Sequence, residues 1–227
     1  MSSSFDAYNN NYEAVVQDSI AFSGLKHDFF LEAKGIELER LFARHFGSYR
    51  PSMLDVGCGV GRMHPMMGRC VSNLAGSDPS GESLSRAVID NPTVSYRQNA
   101  GSVLPWQTAS FDVTLAVCVF HHVLVAERAS LLSEMQRVTK PGGLTVIIEH
   151  NPLNPLTRLA VSRCPFDHDA ILLTAGESKR LLTDGGYGKA QADFFLLLPS
   201  RRKLATWLER KSAALPLGAQ YIASGVK

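Results

Sequence analysis

A chain of 227 residues, 45% hydrophobic and carrying a net charge of +2, can bury one sizeable core but is too short for two ordinary enzymatic domains. The near-neutral balance argues against a protein whose main work is gripping nucleic acid, because such domains concentrate basic residues on one face. No apolar run approaches the roughly 20 residues needed to cross a bilayer, and residues 1–11 lack the cationic-then-apolar pattern of a leader, so the expected compartment is the cytoplasm.

Residues 5–45 read as helices with aromatic anchors, Phe5, Tyr8, Tyr12, Phe22, Phe29, Phe30 and Phe42, which must pack on the body of the protein or over its active edge. Short apolar runs then alternate with amphipathic stretches. Strands are predicted over 52–56, 73–77, 93–98, 111–119, 144–149, 189–198 and 219–226, and helices over 82–89, 127–139 and 176–184. That alternation is the pattern of an α/β doubly wound sheet covered by helices on both faces. The helix over 127–139 should stop at Lys140-Pro141-Gly142-Gly143, where proline ends the hydrogen-bond ladder and glycine accepts a left-handed turn. Residues 151–175 interrupt the alternation, with Pro152, Pro155 and Pro165 breaking any long helix. The basic run Arg201, Arg202 and Lys203, later joined by Arg210 and Lys211, reads as a solvated helix face or a phosphate contact.

The first strand runs into Asp55-Val56-Gly57-Cys58-Gly59-Val60-Gly61-Arg62, a glycine-rich turn between a strand and a helix where a nucleotide-like ligand belongs. Its spacing is G-x-G-x-G rather than the dinucleotide G-x-G-x-x-G, which disfavours a nicotinamide dehydrogenase. Asp55, two positions ahead of Gly57, suits a ligand with a cationic part better than a pyrophosphate. Asp78 ends the second strand about 20 residues further on, the place of an acid that accepts hydrogen bonds from ribose hydroxyls. Its other reading is the N-cap of the helix beginning near Ser80. The four cysteines, Cys58, Cys70, Cys118 and Cys164, are widely spaced, without a C-x-x-C pair, and read as reduced thiols.

Taken in order, Leu54 to Gly61, Gly76 to Ser80, Leu104-Pro105-Trp106, Ser110 to Val113, His121-His122-Val123 and Thr139 to Gly143 resemble the motifs of the class I S-adenosylmethionine-dependent methyltransferases, in particular the type 11 small-molecule group. The resemblance runs from about residue 53 to 149. It implies a Rossmann-like sheet of seven strands with an antiparallel last strand, and adenosylmethionine as cofactor with adenosylhomocysteine as product. It also implies a cofactor site built from Asp55, Gly57, Cys58, Gly59, Gly61, Asp78, Pro79 and Cys118, with Asn99, Ala100, Gly101 and Ser102 at the adenine. The family's usual acid is missing from that last segment. Tyr8, Tyr12 and Lys34 are candidates for a lid meeting the methionine carboxylate, and the aromatic pair reads equally as docking residues. On this reading one domain spans 1–227, with a helical cap over 1–45, a cofactor-binding half over 46–150, an insertion over 151–175 and a substrate-side half over 176–227.

For the acceptor, a histidine suits the removal of a proton at neutral pH, and His121 and His122 follow the fourth strand, with His122 preferred. Glu149, His150, Asn151 and Asn154, at the exit of the fifth strand, are candidate acceptor contacts or simple turn formers around the prolines. His150 with Glu149, and His168 with Asp167 and Asp169, lack a tight ligand spacing, so no metal is expected. The stretches His150 to Asp169 and Leu215 to Tyr221 look similar to those of methyltransferases of polysaccharide or secondary biosynthesis. The expected partner is thus a small-molecule acceptor taking a methyl group on oxygen or nitrogen, with no nucleic acid, no membrane span and a monomer or homodimer. A non-catalytic adenosylmethionine-binding or scaffold protein of the same fold is the alternative.

Overall fold

In the computed structural model, which describes residues 12–198, 200, 207–208 and 211–227, seven strands form one sheet. They are β1 (Ser52–Val56), β2 (Asn73–Asp78), β3 (Ser95–Gln98), β4 (Phe111–Val117), β5 (Thr139–His150), β6 (Gly188–Phe195) and β7 (Gln220–Val226), in the order β3-β2-β1-β4-β5-β7-β6. Strands β1 to β5 pair in parallel, and β7 runs antiparallel between β5 and β6. The central strands are apolar almost throughout because helices cover both of their faces. Successive residues point to opposite sides. Met53, Val113, Leu115, Val146 and Ile148 pack with Leu38 and Phe42, whereas Leu54, Ala116 and Ile147 pack with Leu132, Met135 and Leu182.

The helices are α1 (Tyr12–Ile20), α2 (His27–Phe46), α3 (His64–Met67), α4 (Gly81–Asp90), α5 (Arg128–Val138), α6 (Pro155–Arg163) and α7 (Ala175–Asp184). Local chemistry sets their starts. The Ser80 hydroxyl caps α4 by accepting the Ser83 N–H at 3.0 Å. Thr174 and Glu177 form a capping box at α7. Pro155 stands at the first position of α6, where its missing N–H is no loss, behind an Asn154 cap.

The element borders depart from the sequence reading where the backbone turns left-handed. β4 stops at Val117 rather than 119 because Cys118 has φ +56°, and β6 stops at Phe195 rather than 198 because Leu196 has φ +60°. β5 begins at Thr139, directly after α5, instead of at 144. Thr139 pairs with Phe111, Leu144 pairs with Val113, and the intervening residues form a bulge in which Gly142 takes φ +77°. The expected left-handed glycine turn is therefore present, folded into the strand.

Asp112 fastens the base of the sheet. Its Oδ2 accepts from the Ser52 N–H (2.8 Å) and hydroxyl (2.6 Å), and its Oδ1 accepts from Lys140 Nζ (2.9 Å), joining β1, β4 and β5. Burial pushes the carboxyl upward, but the Ser52 and Lys140 hydrogen bonds outweigh it and hold the group below its ordinary value of 3.8. Its stabilising contribution is accordingly complete above that value and is lost as the pH falls through the lower folded one. Asp112→Ala is expected to cost roughly 1–3 kcal/mol at neutral pH. Urea unfolding of both proteins along a pH series checks this, the gap between them narrowing below about pH 4.

Candidate active site

The C-terminal ends of β1, β2, β4 and β5 open into a cavity of about 1150 Å³, roofed by α1, α2 and α6. This is the crevice where doubly wound sheets take their ligands. Among the expected site residues, Lys34, Asp55, Gly57, Cys58, Gly59, Asp78, Pro79, Cys118, His121, His122, His150 and Asn154 line it.

The turn after β1 is shaped by a buried relay. Asp55 Oδ2 meets His64 Nε2 at 3.0 Å, and His64 Nδ1 meets the Tyr96 hydroxyl at 2.6 Å, so the carboxylate is held from behind by α3 and β3. Its other oxygen, Oδ1, is buried with no hydrogen-bond partner among the described residues. Such an atom is costly unless something else supplies a donor. Gly57 holds φ +73°, and a Cβ there would stand 2.5 Å from the Val119 side chain, so only glycine fits. Asp78 accepts the Gly59 N–H at Oδ2 and the Ser80 N–H at Oδ1, both at 2.8 Å, which fixes its carboxylate at the tip of β2. Since Ser80 caps α4, Asp78 is released from the capping role.

Lys34, on α2, is 6% exposed and reaches the same cavity. Arg62, immediately after the glycine turn, forms ion pairs with Glu13 of α1 and Asp28 of α2, tying the roof to the loop. Tyr8 lies outside the described residues. Cys58 and Cys118 are neutral thiols, because burial pushes both upward.

Across the cavity, three chain segments bring five ionisable groups together. His121 Nδ1 lies 2.5 Å from Glu149 Oε2, and its Nε2 lies 3.5 Å from Asp167 Oδ1. The same Asp167 oxygen meets His122 Nε2 at 3.2 Å. His150 completes the group, with its ring centre 5.4 Å from that of His121. Burial disfavours the His121 imidazolium, yet Glu149 and then Asp167 outweigh it and hold its pKa well above 6.5. Burial and the neighbouring His121 lower His150 to about 4, so it is a neutral imidazole at physiological pH. His121, 2% exposed and clamped between two carboxylates, is thus built to stay charged, whereas His122 is the more open ring toward the cavity.

Several expected contacts are differently employed. Glu149 is fully buried behind His121, where Oε1 accepts the Phe120 N–H at 2.8 Å, so it supports the site without lining it. Asn151 spends its amide on the Pro216 and Gly218 carbonyls, and Asn154 caps α6 while donating to the Leu217 carbonyl; both are the turn formers of the alternative reading. Asn99 turns inward, accepting from the Ser77 hydroxyl and donating to the Gly101 carbonyl, and neither it nor Ala100, Gly101 or Ser102 lines the cavity. Gly61 also stands off the wall, since the space beside it is filled by His64, Asn91 and Tyr96. His168 and Asp169 pair with each other in the open and take no part in the cluster. Asp167 was the least legible in the sequence as a partner of His121 and His122, because nothing local to its segment signals contacts 46 and 45 residues away in the chain.

Comparison with known proteins agrees with this architecture. A family model described as a methyltransferase domain matches residues 54–147, the stretch that carries the glycine turn, both acids and the two histidines. Over that stretch the chain is similar to methyltransferase domains. It is 31% identical over 103 residues to an uncharacterized methyltransferase of Synechocystis sp., a match covering 45% of this chain and 49% of that protein. It is 32% identical over 121 residues to a ubiquinone biosynthesis O-methyltransferase of Ruegeria pomeroyi, covering 49% of this chain and 48% of that one. The aligned part thus spans about half the length of these curated relatives. A solved structure from Thermotoga maritima, titled as a possible histamine N-methyltransferase, superposes with a TM-score of 0.67 at 18% identity, covering 98% of each chain, a likeness of fold.

The glycine turn admits no side chain at its first position. Gly57→Val adds a strained left-handed residue and a collision with Val119, and is expected to lower stability by roughly 2–4 kcal/mol. A fall in thermal midpoint of several degrees checks this, and an unchanged midpoint would contradict the loop geometry described.

Proposed function

We propose that the chain is an S-adenosylmethionine-dependent methyltransferase acting on an oxygen or nitrogen of a small molecule. The observation that carries this reading is Oδ1 of Asp55, without a hydrogen-bond partner among the described residues, buried beside the glycine turn and close in sequence to the open face of Gly59. A ligand with an ammonium group and little bulk at the turn answers both features. Asp55 would accept from the amino group, Lys34 would pair with the carboxylate, and Asp78, its carboxylate fixed at the tip of β2 by the Gly59 and Ser80 N–H groups, would accept from the ribose hydroxyls.

Adenosylmethionine, when bound, supplies a methyl group already activated by its sulfonium. The protein's own work is then alignment, exclusion of water and the handling of one proton. The apolar roof, with Phe29 and Phe30 from α2 and Leu156 and Val161 from α6, excludes water and suits an acceptor with an apolar body. His122 would take the acceptor's proton, its ring oriented by the bond from Nε2 to Asp167, as a carboxylate orients the histidine of a catalytic triad. His121, locked as a cation, fixes Asp167 and leaves His122 as the base.

Two measurements test this. Calorimetry with adenosylhomocysteine should give micromolar binding, weakened on the order of 10–100-fold in Asp78→Ala through the loss of charged hydrogen bonds. No heat from the folded wild-type protein would refute the proposal. A screen of small hydroxylated and amine compounds for adenosylhomocysteine release should identify the acceptor. With that acceptor, His122→Gln should lower kcat by about 10²–10⁴-fold while adenosylhomocysteine affinity is kept.

A further inference from the structure

The imidazole–carboxylate corner of the cavity has the composition of a metal centre. One ligand atom from each of His121, His150 and Asp167 lies within 4.8 Å of the others, in a corner where His121 and Asp167 are buried and His150 is half-buried. From this juxtaposition we propose that His121, His150 and Asp167 form a binding site for a divalent transition-metal ion of the zinc class, open toward the acceptor side of the cavity.

The donors suit such an ion. Two imidazoles and one carboxylate are a set that zinc and its neighbours accept with positions left over for water or substrate. Around a tetrahedral ion with bonds near 2.1 Å, donors stand roughly 3.4 Å apart, so closing the set asks for side-chain movement of about an ångström. The surroundings are those of a site prepared in advance. Metal-binding histidines commonly anchor their second ring nitrogen on a carboxylate or amide, which frees the first for the ion. His121 does so through Nδ1 and Glu149, itself fixed by the Phe120 N–H, so the ion binds Nε2 by displacing the proton that makes the ring a cation in the metal-free protein. His150 places Nδ1 3.4 Å from the amide of Gln220, whose Oε1 is buried without a hydrogen-bond partner among the described residues. With the amide turned over, that oxygen accepts the Nδ1–H, and Nε2 of His150 is left with its lone pair. All three ligand residues line the cavity, which gives the ion a route in and leaves its open positions facing the space assigned to the acceptor.

The test reads metal directly and needs neither cofactor nor turnover, so its failure leaves the methyl-transfer reading standing. Tag-free protein stripped with chelator is titrated with Zn(II) by calorimetry and with Co(II) by visible absorption. One equivalent should bind at micromolar concentration or tighter, Co(II) should show the bands of a four- or five-coordinate N/O site, and Zn(II) should raise the thermal midpoint. Asp167→Asn and His150→Gln, each checked for native circular dichroism, should weaken binding tenfold or more. Glu149→Gln, which reaches the ligand set only at the anchored nitrogen of His121 and is likewise checked for native circular dichroism, should weaken it by about 10–100-fold. Absence of heat, cobalt bands and midpoint shift in the wild-type protein would overturn the proposal. So would undiminished binding in both ligand variants, or an intense thiolate-to-cobalt band, which would put the ion on a cysteine such as Cys118.

Discussion

Glu149 is an ionised group with no exposure to solvent, placed near the end of the interior strand β5, and much of the site follows from how its charge is accommodated. A buried carboxylate is tolerable only when donors surround it. Here they are the Phe120 N–H and the His121 ring, both from the turn that follows β4. The charge therefore fixes where the chain goes after leaving the sheet. It sets His121 inward, which in turn recruits Asp167 from a distant segment and leaves His122 toward the cavity. The Ile171 N–H donates to the His121 carbonyl, and Arg128 donates to the Ile171 and Val123 carbonyls, so the backbone of the 165–171 stretch is bound to the same turn.

The opposite wall follows a related logic with a different outcome. Asp55 is also buried, but only one of its oxygens is provided for, through His64 and Tyr96. Local rules satisfied on one side and left open on the other are what a binding site looks like in a folded chain, since an unpaired polar atom persists only where the surrounding structure holds it. The two walls thus divide the work: one surrounds its buried carboxylate with the protein's own donors, the other awaits a donor from outside.

The sheet was legible in the sequence because buried parallel strands are short apolar runs separated by helical spacing, and all seven appear where that pattern lies. Their ends were not, since Cys118 and Leu196 stop β4 and β6 by adopting left-handed dihedrals that no composition rule assigns to such residues. The glycine turn with Asp55 and Asp78 was legible because its geometry is local and its residue types are unusual. Asn151 and Asn154 show the limit of that approach: polar residues at a strand exit are equally suited to ligands and to turns, and here the prolines' neighbours took the turns. Asp167 and Gln220 were hidden because their partners lie on other segments, and only tertiary packing brings them to the histidines.

The left-handed conformation of Cys118 sets stability against function. A non-glycine residue held at φ +56° stores on the order of 1–3 kcal/mol, and this one lies on the cavity wall at the tip of β4. Glycine would relieve the tension and make a sturdier protein, yet it would also remove the thiol from the wall and loosen the backbone just before the paired histidines. Selection for rigidity alone would erode the very edge on which the ligand is expected to rest, so the most durable form of this chain and its most competent form need not be the same sequence.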